Sequence, residues 1–134
     1  MTGDLAPRVR RRARYRCEYC QLPQSASQAR HQVDHIIADQ HEGGDEPSNL
    51  ALACVHCNFH KGPNIAGRDP VTRELTRLYD PRRDRWREHF AWQGAVLIGL
   101  TAIGRTTIQV LAINDLDVVE ARESLIAEGR FPPR

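Results

Sequence analysis

The chain is 134 residues long and carries 19 arginines plus lysines against 17 aspartates plus glutamates, a formal net charge of +2. That length fits one domain with a modest core, and the near balance of charge excludes a chain acting simply as a polycation. Hydrophobic residues make up 40% and aromatics only 6%, so a structural metal would help to hold the fold. No apolar run is long enough to cross a bilayer. The opening MTGDLAPRVRRRARYR lacks the apolar stretch of a secretory signal, so a cytoplasmic, bacterial-type location and no membrane partner are expected.

In chain order, Pro7 is tolerated in a first helical turn, and residues 7–16 are predicted to form a short basic helix. Cys17-Glu18-Tyr19-Cys20 reads as a tight knuckle, and residues 21–30 as a polar loop. His31 to Ile37 is rich in β-branched residues and predicts a strand. Residues 39–49, DQHEGGDEPSN, hold two glycines, a proline and several acids, and predict a loop. Leu50 to Ala53 is a candidate second strand, and Cys54-Val55-His56-Cys57 a second knuckle. A short helix through Asn58 to Lys61 then ends at Gly62-Pro63. Further on, Leu75 to Tyr79 predicts a strand, and residues 80–90 a basic amphipathic run. Residues 91–100 predict a hairpin about Gly94. Two helices are expected over 101–113 and 115–128. Trp86, Phe90 and Trp92 are read as core residues. The expected fold class is α+β in a single domain over 1–134, with a core at 17–62 and a C-terminal extension, 63–134, that completes it with a β-hairpin and two helices.

All four cysteines fall in two Cys-x2-Cys pairs, Cys17/Cys20 and Cys54/Cys57, separated by 33 residues. In a reducing compartment such pairs favour metal over disulfides. Four thiolates suit tetrahedral Zn2+, and a closed four-ligand site is structural. His56 lies inside the second knuckle and is expected to be exposed.

Between and after the knuckles come Asp34-His35, Gly43-Gly44, Asn49-Leu50, Cys57-Asn58 and Lys61-Gly62. This pattern resembles the HNH endonuclease family, whose ββα-metal active site is framed by such cysteine pairs. The resemblance covers residues 17–62. The run DPRRDRWREHF at 80–90 also resembles a bacterial subgroup of that family. The implied activity is metal-dependent hydrolysis of DNA phosphodiester bonds, leaving a 5′-phosphate and a 3′-hydroxyl.

The chemistry can be read from the residues as well. Hydrolysis near neutral pH needs a base to activate water, and histidine is the usual one; His35 is the candidate. Asn49 could accept a hydrogen bond from the other ring nitrogen and fix the tautomer. Asp34 and His35 are adjacent, so within a strand they point to opposite faces, and a bulge or a strand end is needed for both to reach one site. The resemblance further implies that Asp34 and Asn58 hold one catalytic Mg2+ or Mn2+ ion. Asn58 stands where many members carry a second histidine, which marks an HNN-type variant. Each residue also has a structural alternative: Asp34 as an arginine partner, Asn49 as a turn residue, Asn58 as a helix cap. His31 is open between a supporting and a structural role. His41 reads as a solvated loop residue, and His60 is not expected to be a ligand.

Lys61 is the only lysine and is a candidate phosphate contact. Arg10, Arg11, Arg12 and Arg14 form one candidate phosphate face, and Arg82, Arg83, Arg85 and Arg87 another, since the guanidinium fork suits phosphate. No sequence-reading module is evident, so a nucleic-acid partner, expected to be double-stranded DNA, would be held with low sequence specificity. The competing expectation is a non-catalytic four-cysteine zinc module that binds nucleic acid without cutting it.

Overall fold

The computed structural model describes residues 4–133 and divides the chain into two units, Met1–Ile65 and Ala66–Arg134. Both mix helix and strand, and every sheet among the described residues is a two-stranded antiparallel ribbon.

The first unit contains helix α1 (Leu5–Arg12), strand β1 (Gln32–His35), strand β2 (Leu50–Ala53) and helix α2 (Val55–Lys61). β1 and β2 pair with Asp34 opposite Ala51 and His35 opposite Leu50. β2 reads Leu-Ala-Leu-Ala and is buried at every position, so it shows no polar alternation. Val9 of α1 packs with Leu50 and Leu52, flanked by Leu5, Ala13 and Val33. The first knuckle pairs with β2 directly: Glu18 N–H donates to Leu52 O at 2.8 Å, and Leu52 N–H donates to the Glu18 carboxylate at 2.7 Å.

The basic helix is two residues longer at its start than expected and four shorter at its end. Arg14 and Tyr15 both take positive φ, 57° and 58°, which ends the right-handed helix. Two of its arginines turn inward to backbone. Arg10 Nη1 donates to His31 O at 2.8 Å, and Arg12 Nη1 donates to Pro47 O at 2.9 Å. Arg12 Nη2 also donates to Leu50 O.

The second unit contains β3 (Ala66–Arg68), β4 (Leu75–Arg77), α3 (Trp86–His89), β5 (Phe90–Gln93), β6 (Val96–Gly99), α4 (Ala102–Val110) and α5 (Leu116–Ala127). The expected hairpin is present. Gln93 pairs with Val96 across a two-residue turn, with Gly94 at φ +60°, the backbone that short hairpin turns require. Thr101 caps α4 by accepting from Gly104 N–H at 3.1 Å. The expected strand at 75–79 is paired only over Leu75–Arg77, and its partner β3 was not anticipated. Phe90 is buried, with Tyr79 and Trp86 rings within 5.3 Å of it. Arg122 is 3% exposed and lies over the Trp92 ring. Among the described residues no helix is long and apolar enough to cross a membrane.

Candidate active site

The two knuckles close around one centre. Cys17, Cys20, Cys54 and Cys57 are all buried, and their sulfurs lie within 4.8 Å of one another. In each knuckle the second cysteine's N–H points at the first cysteine's sulfur, at 3.5 Å for Cys20 to Cys17 and 3.4 Å for Cys57 to Cys54. Cys54 is also the N-cap of α2, so the knuckle and the helix start are one device. Hydrogen bonds from the Cys17, Cys20 and Cys57 thiols hold Cys54 far below the usual thiol range. The contact with Cys17 comes foremost in pushing Cys20 and Cys57 up, and burial adds to this. Ionisation of one thiol in such a cluster opposes ionisation of the others by like charge. A dication at the centre removes that opposition and favours four thiolates. The four cysteines are positioned to form a zinc site.

The strand β1 emerges beside this frame and ends at His35. His35 is partly exposed, with 27% of its side chain accessible. Its Nε2 lies 2.7 Å from Asp45 Oδ1. Among the described residues no hydrogen bond engages its Nδ1. Asp45 comes from the loop between β1 and β2 and was not singled out in the sequence. Its carboxyl is held below the usual range, chiefly by the His35 hydrogen bond. Asp39 completes a group of three whose nearest nitrogen and oxygens lie within 4.8 Å of one another.

Asn49 does not meet His35, which corrects the expected Asn49–His35 hydrogen bond. Its Oδ1 accepts from Ile37 N–H at 2.9 Å, and its Nδ2 donates to Ile37 O at 2.9 Å and to Gly44 O at 2.8 Å. The side-chain amide thus pairs with backbone on both sides of the loop. Gly43 is required here by space: a Cβ at this position would meet Ile37 O at 1.7 Å.

Asp34 is buried, at 6% exposed. Tyr19 Oη donates to its Oδ2 at 3.0 Å, and Lys61 Nζ lies 3.2 Å from the same oxygen. Burial raises the Asp34 carboxyl, and Lys61 works against that rise. Lys61 is 1% exposed and donates also to His35 O at 3.0 Å. It is an internal cation that ties Asp34 to the end of β1, which corrects its expected role as a surface phosphate contact. Asn58 lies three residues before Lys61 on α2, hence on the same helix face. It is half-buried, and its side-chain amide makes no hydrogen bond among the described residues.

His31 is fully buried, with Nε2 on Leu22 O at 2.9 Å. The His56 and His60 rings meet at a tilt along α2, with centroids 4.3 Å apart. His41 is exposed in its loop, as expected.

Residues 17–64 match the family model described as HNH endonuclease. These residues form an HNH domain. Searches among curated proteins and among solved structures give no match. The HNH segment contains the four cysteines, β1, the Asp45 loop, β2 and α2, so the frame and the His35 site belong to one matched unit.

The arginines fall into two groups. In the first unit Arg11 and Arg14 are exposed, whereas Arg10 is fastened to His31 O. Arg10 is thereby corrected from a free phosphate contact to a residue that also holds its own fold. Arg8, Arg11 and Arg12 line a groove of about 240 Å³ beside Leu5, Val9 and Pro47. In the second unit Arg83 and Arg85 are exposed, while Arg82 is half-buried. Asp84 is engaged by Arg77 through two hydrogen bonds, at 2.7 and 2.8 Å, so it offsets its arginine neighbours less than the sequence suggests.

Proposed function

We propose that this chain is a metal-dependent endonuclease that hydrolyses DNA phosphodiester bonds, with His35 as general base. The observation that carries the reading is His35 itself. It is partly exposed at a strand end, has one nitrogen on a carboxylate and the other without a partner, and lies inside a four-cysteine HNH frame. A neutral ring held in this way can accept a proton from water at its open nitrogen. That water oxygen then bonds to phosphorus, the bond to the 3′-oxygen breaks, and the products are a 5′-phosphate and a 3′-hydroxyl.

The catalytic divalent ion, Mg2+ or Mn2+, is assigned to Asp34 and Asn58. The donor chemistry fits, because both offer hard oxygen ligands. Asp34 already faces a cation, the Lys61 ammonium at 3.2 Å, and Asn58 has an unengaged amide on the same face of α2. When bound, the ion would supply charge stabilisation on the scissile phosphate. Arg11 and Arg14, together with Arg83 and Arg85, are proposed to hold the duplex by its phosphates. Such contacts position nucleic acid without reading its sequence.

One observation favours the second reading, a non-catalytic zinc module that binds nucleic acid. The Asp34 carboxylate is closed off by Tyr19 and Lys61. Supercoiled-plasmid nicking with EDTA, Mg2+ and Mn2+ separates the two. Nicking that requires a divalent ion and leaves 5′-phosphate ends is expected. Retained DNA binding with no cleavage under any metal would select the second reading.

A further inference from the structure

We propose that Asp45 is the positioning residue for His35: its carboxylate takes the Nε2 hydrogen and leaves Nδ1 as the basic nitrogen of the neutral ring. The inference rests on the reading of His35 as general base and assigns the partner that base needs.

The geometry supports it at three levels. First, Asp45 Oδ1 is 2.7 Å from His35 Nε2, a short hydrogen-bond distance for a charged acceptor. An ionised carboxylate can only accept. A neutral imidazole has one N–H, so the nitrogen facing the carboxylate carries it and the other keeps its lone pair. Second, His35 Nδ1 makes no hydrogen bond among the described residues, and the side chain is 27% exposed, so water can reach the free nitrogen.

Third, the loop that carries Asp45 is anchored. Asn49 Nδ2 donates to Gly44 O, one residue before Asp45, and the same amide grips Ile37, two residues after His35. Gly43 N–H donates to Ala38 O at 3.0 Å. Gly43 lies against Ile37 O so closely that no side chain fits. Asn49 therefore acts on His35 through the loop: it fixes Gly44, which places Asp45, which orients the ring. Asp39 is the competing acceptor, since its carboxylate is within 4.8 Å of a His35 ring nitrogen. The hydrogen bond belongs to Asp45, and Asp39 is exposed on the preceding turn.

The side chain of Asp45 is 58% exposed, so replacing it leaves the core intact. The test compares wild type, Asp45→Ala, Asp45→Glu and His35→Ala as full-length, zinc-loaded protein. The His35 tautomer is read from long-range 15N–1H NMR couplings, without DNA and at alkaline pH. Cleavage is read as kcat and KM on plasmid. Wild type is expected to show the Nε2–H form. Asp45→Ala should lose that preference and drop kcat about 10- to 100-fold with KM unchanged, the scale seen when a supporting partner of a functional histidine is removed. Asp45→Glu should recover part of both. An unchanged tautomer or an unchanged kcat in Asp45→Ala overturns the inference. If His35→Ala cleaves like wild type, the base assignment fails instead, while the tautomer measurement still decides whether Asp45 sets the ring.

Discussion

The two units of this chain are held together by different means. The HNH unit has a small apolar cluster around Val9, Leu50 and Leu52. The rest of its order comes from four converging cysteines and from polar ties: Glu18 on β2, Asn49 on the loop, and Lys61 on Asp34 and His35. The second unit has no cysteine. It relies on packed rings around Phe90 and on buried ion and backbone pairs, notably Asp69 with Arg105 and Arg122 with two carbonyls. The difference teaches where rigidity is needed. Four cysteines positioned for a metal and short polar ties hold the end of one strand, with little core behind it. A packed core gives stability without presenting a reactive group.

The largest expected effect follows from removing the metal. Structural zinc contributes on the order of 10 kcal/mol in small domains. Chelation, or Cys57→Ser, should unfold the HNH unit while the second unit keeps its helices. Far-UV circular dichroism and amide exchange would show loss confined to residues before Ala66. Uniform loss over both units would erase the distinction drawn here.

Lys61→Met comes next. It leaves the Asp34 carboxylate buried without its cation, and breaking such a pair costs about 3–5 kcal/mol. If Asp34 is also an ion ligand, Mg2+ should raise the melting temperature of this variant more than that of wild type. Equal responses would remove Asp34 from the metal site.

A comparable but smaller loss is expected in the second unit from Arg122→Met. The guanidinium donates to Ala95 O and Ile113 O at 2.8 Å each. Stranding both carbonyls should cost about 2–4 kcal/mol, read by chemical denaturation, with zinc content unchanged.

The mildest effect is the acid response of the second unit. Arg105 holds the Asp69 carboxyl well below the usual range, and Arg77 lowers that of Asp84. A depressed carboxylate stabilises the fold above its unfolded value, about 3.9, and that stabilisation disappears as pH falls through the lower folded value. The unit should therefore weaken below about pH 4. Asp69→Asn should flatten that dependence in a pH series of melting curves.

The features legible in the sequence are those with local causes. The knuckles announce themselves by spacing, β2 by its apolar run, and the β5–β6 hairpin by Gly94. What was missed depends on neighbours distant in the chain. β3 contains Ala66-Gly67-Arg68, with no β-branched residue to mark it; it exists because β4 pairs with it and because Gly67 leaves room for Val110 and Thr106 of α4. Lys61 reads as a surface residue until α2 packs on β1 and buries it. Asp45 is one of several acids in a loop rich in them, and nothing local says which one reaches His35. That choice is made by Gly43 and by the Asn49 amide. The Asn49 amide bonds to Ile37 and Gly44 backbone and not to the His35 ring, because an amide can serve backbone as readily as a ring nitrogen.

The most direct measurement is made on His35→Ala, with zinc content, DNA affinity and single-turnover cleavage determined on one preparation. Full zinc, unchanged affinity and a cleavage rate lowered at least about 100-fold are the predicted result. Cleavage at the wild-type rate, with zinc and affinity intact, would contradict the central claim that this HNH unit cuts DNA through His35.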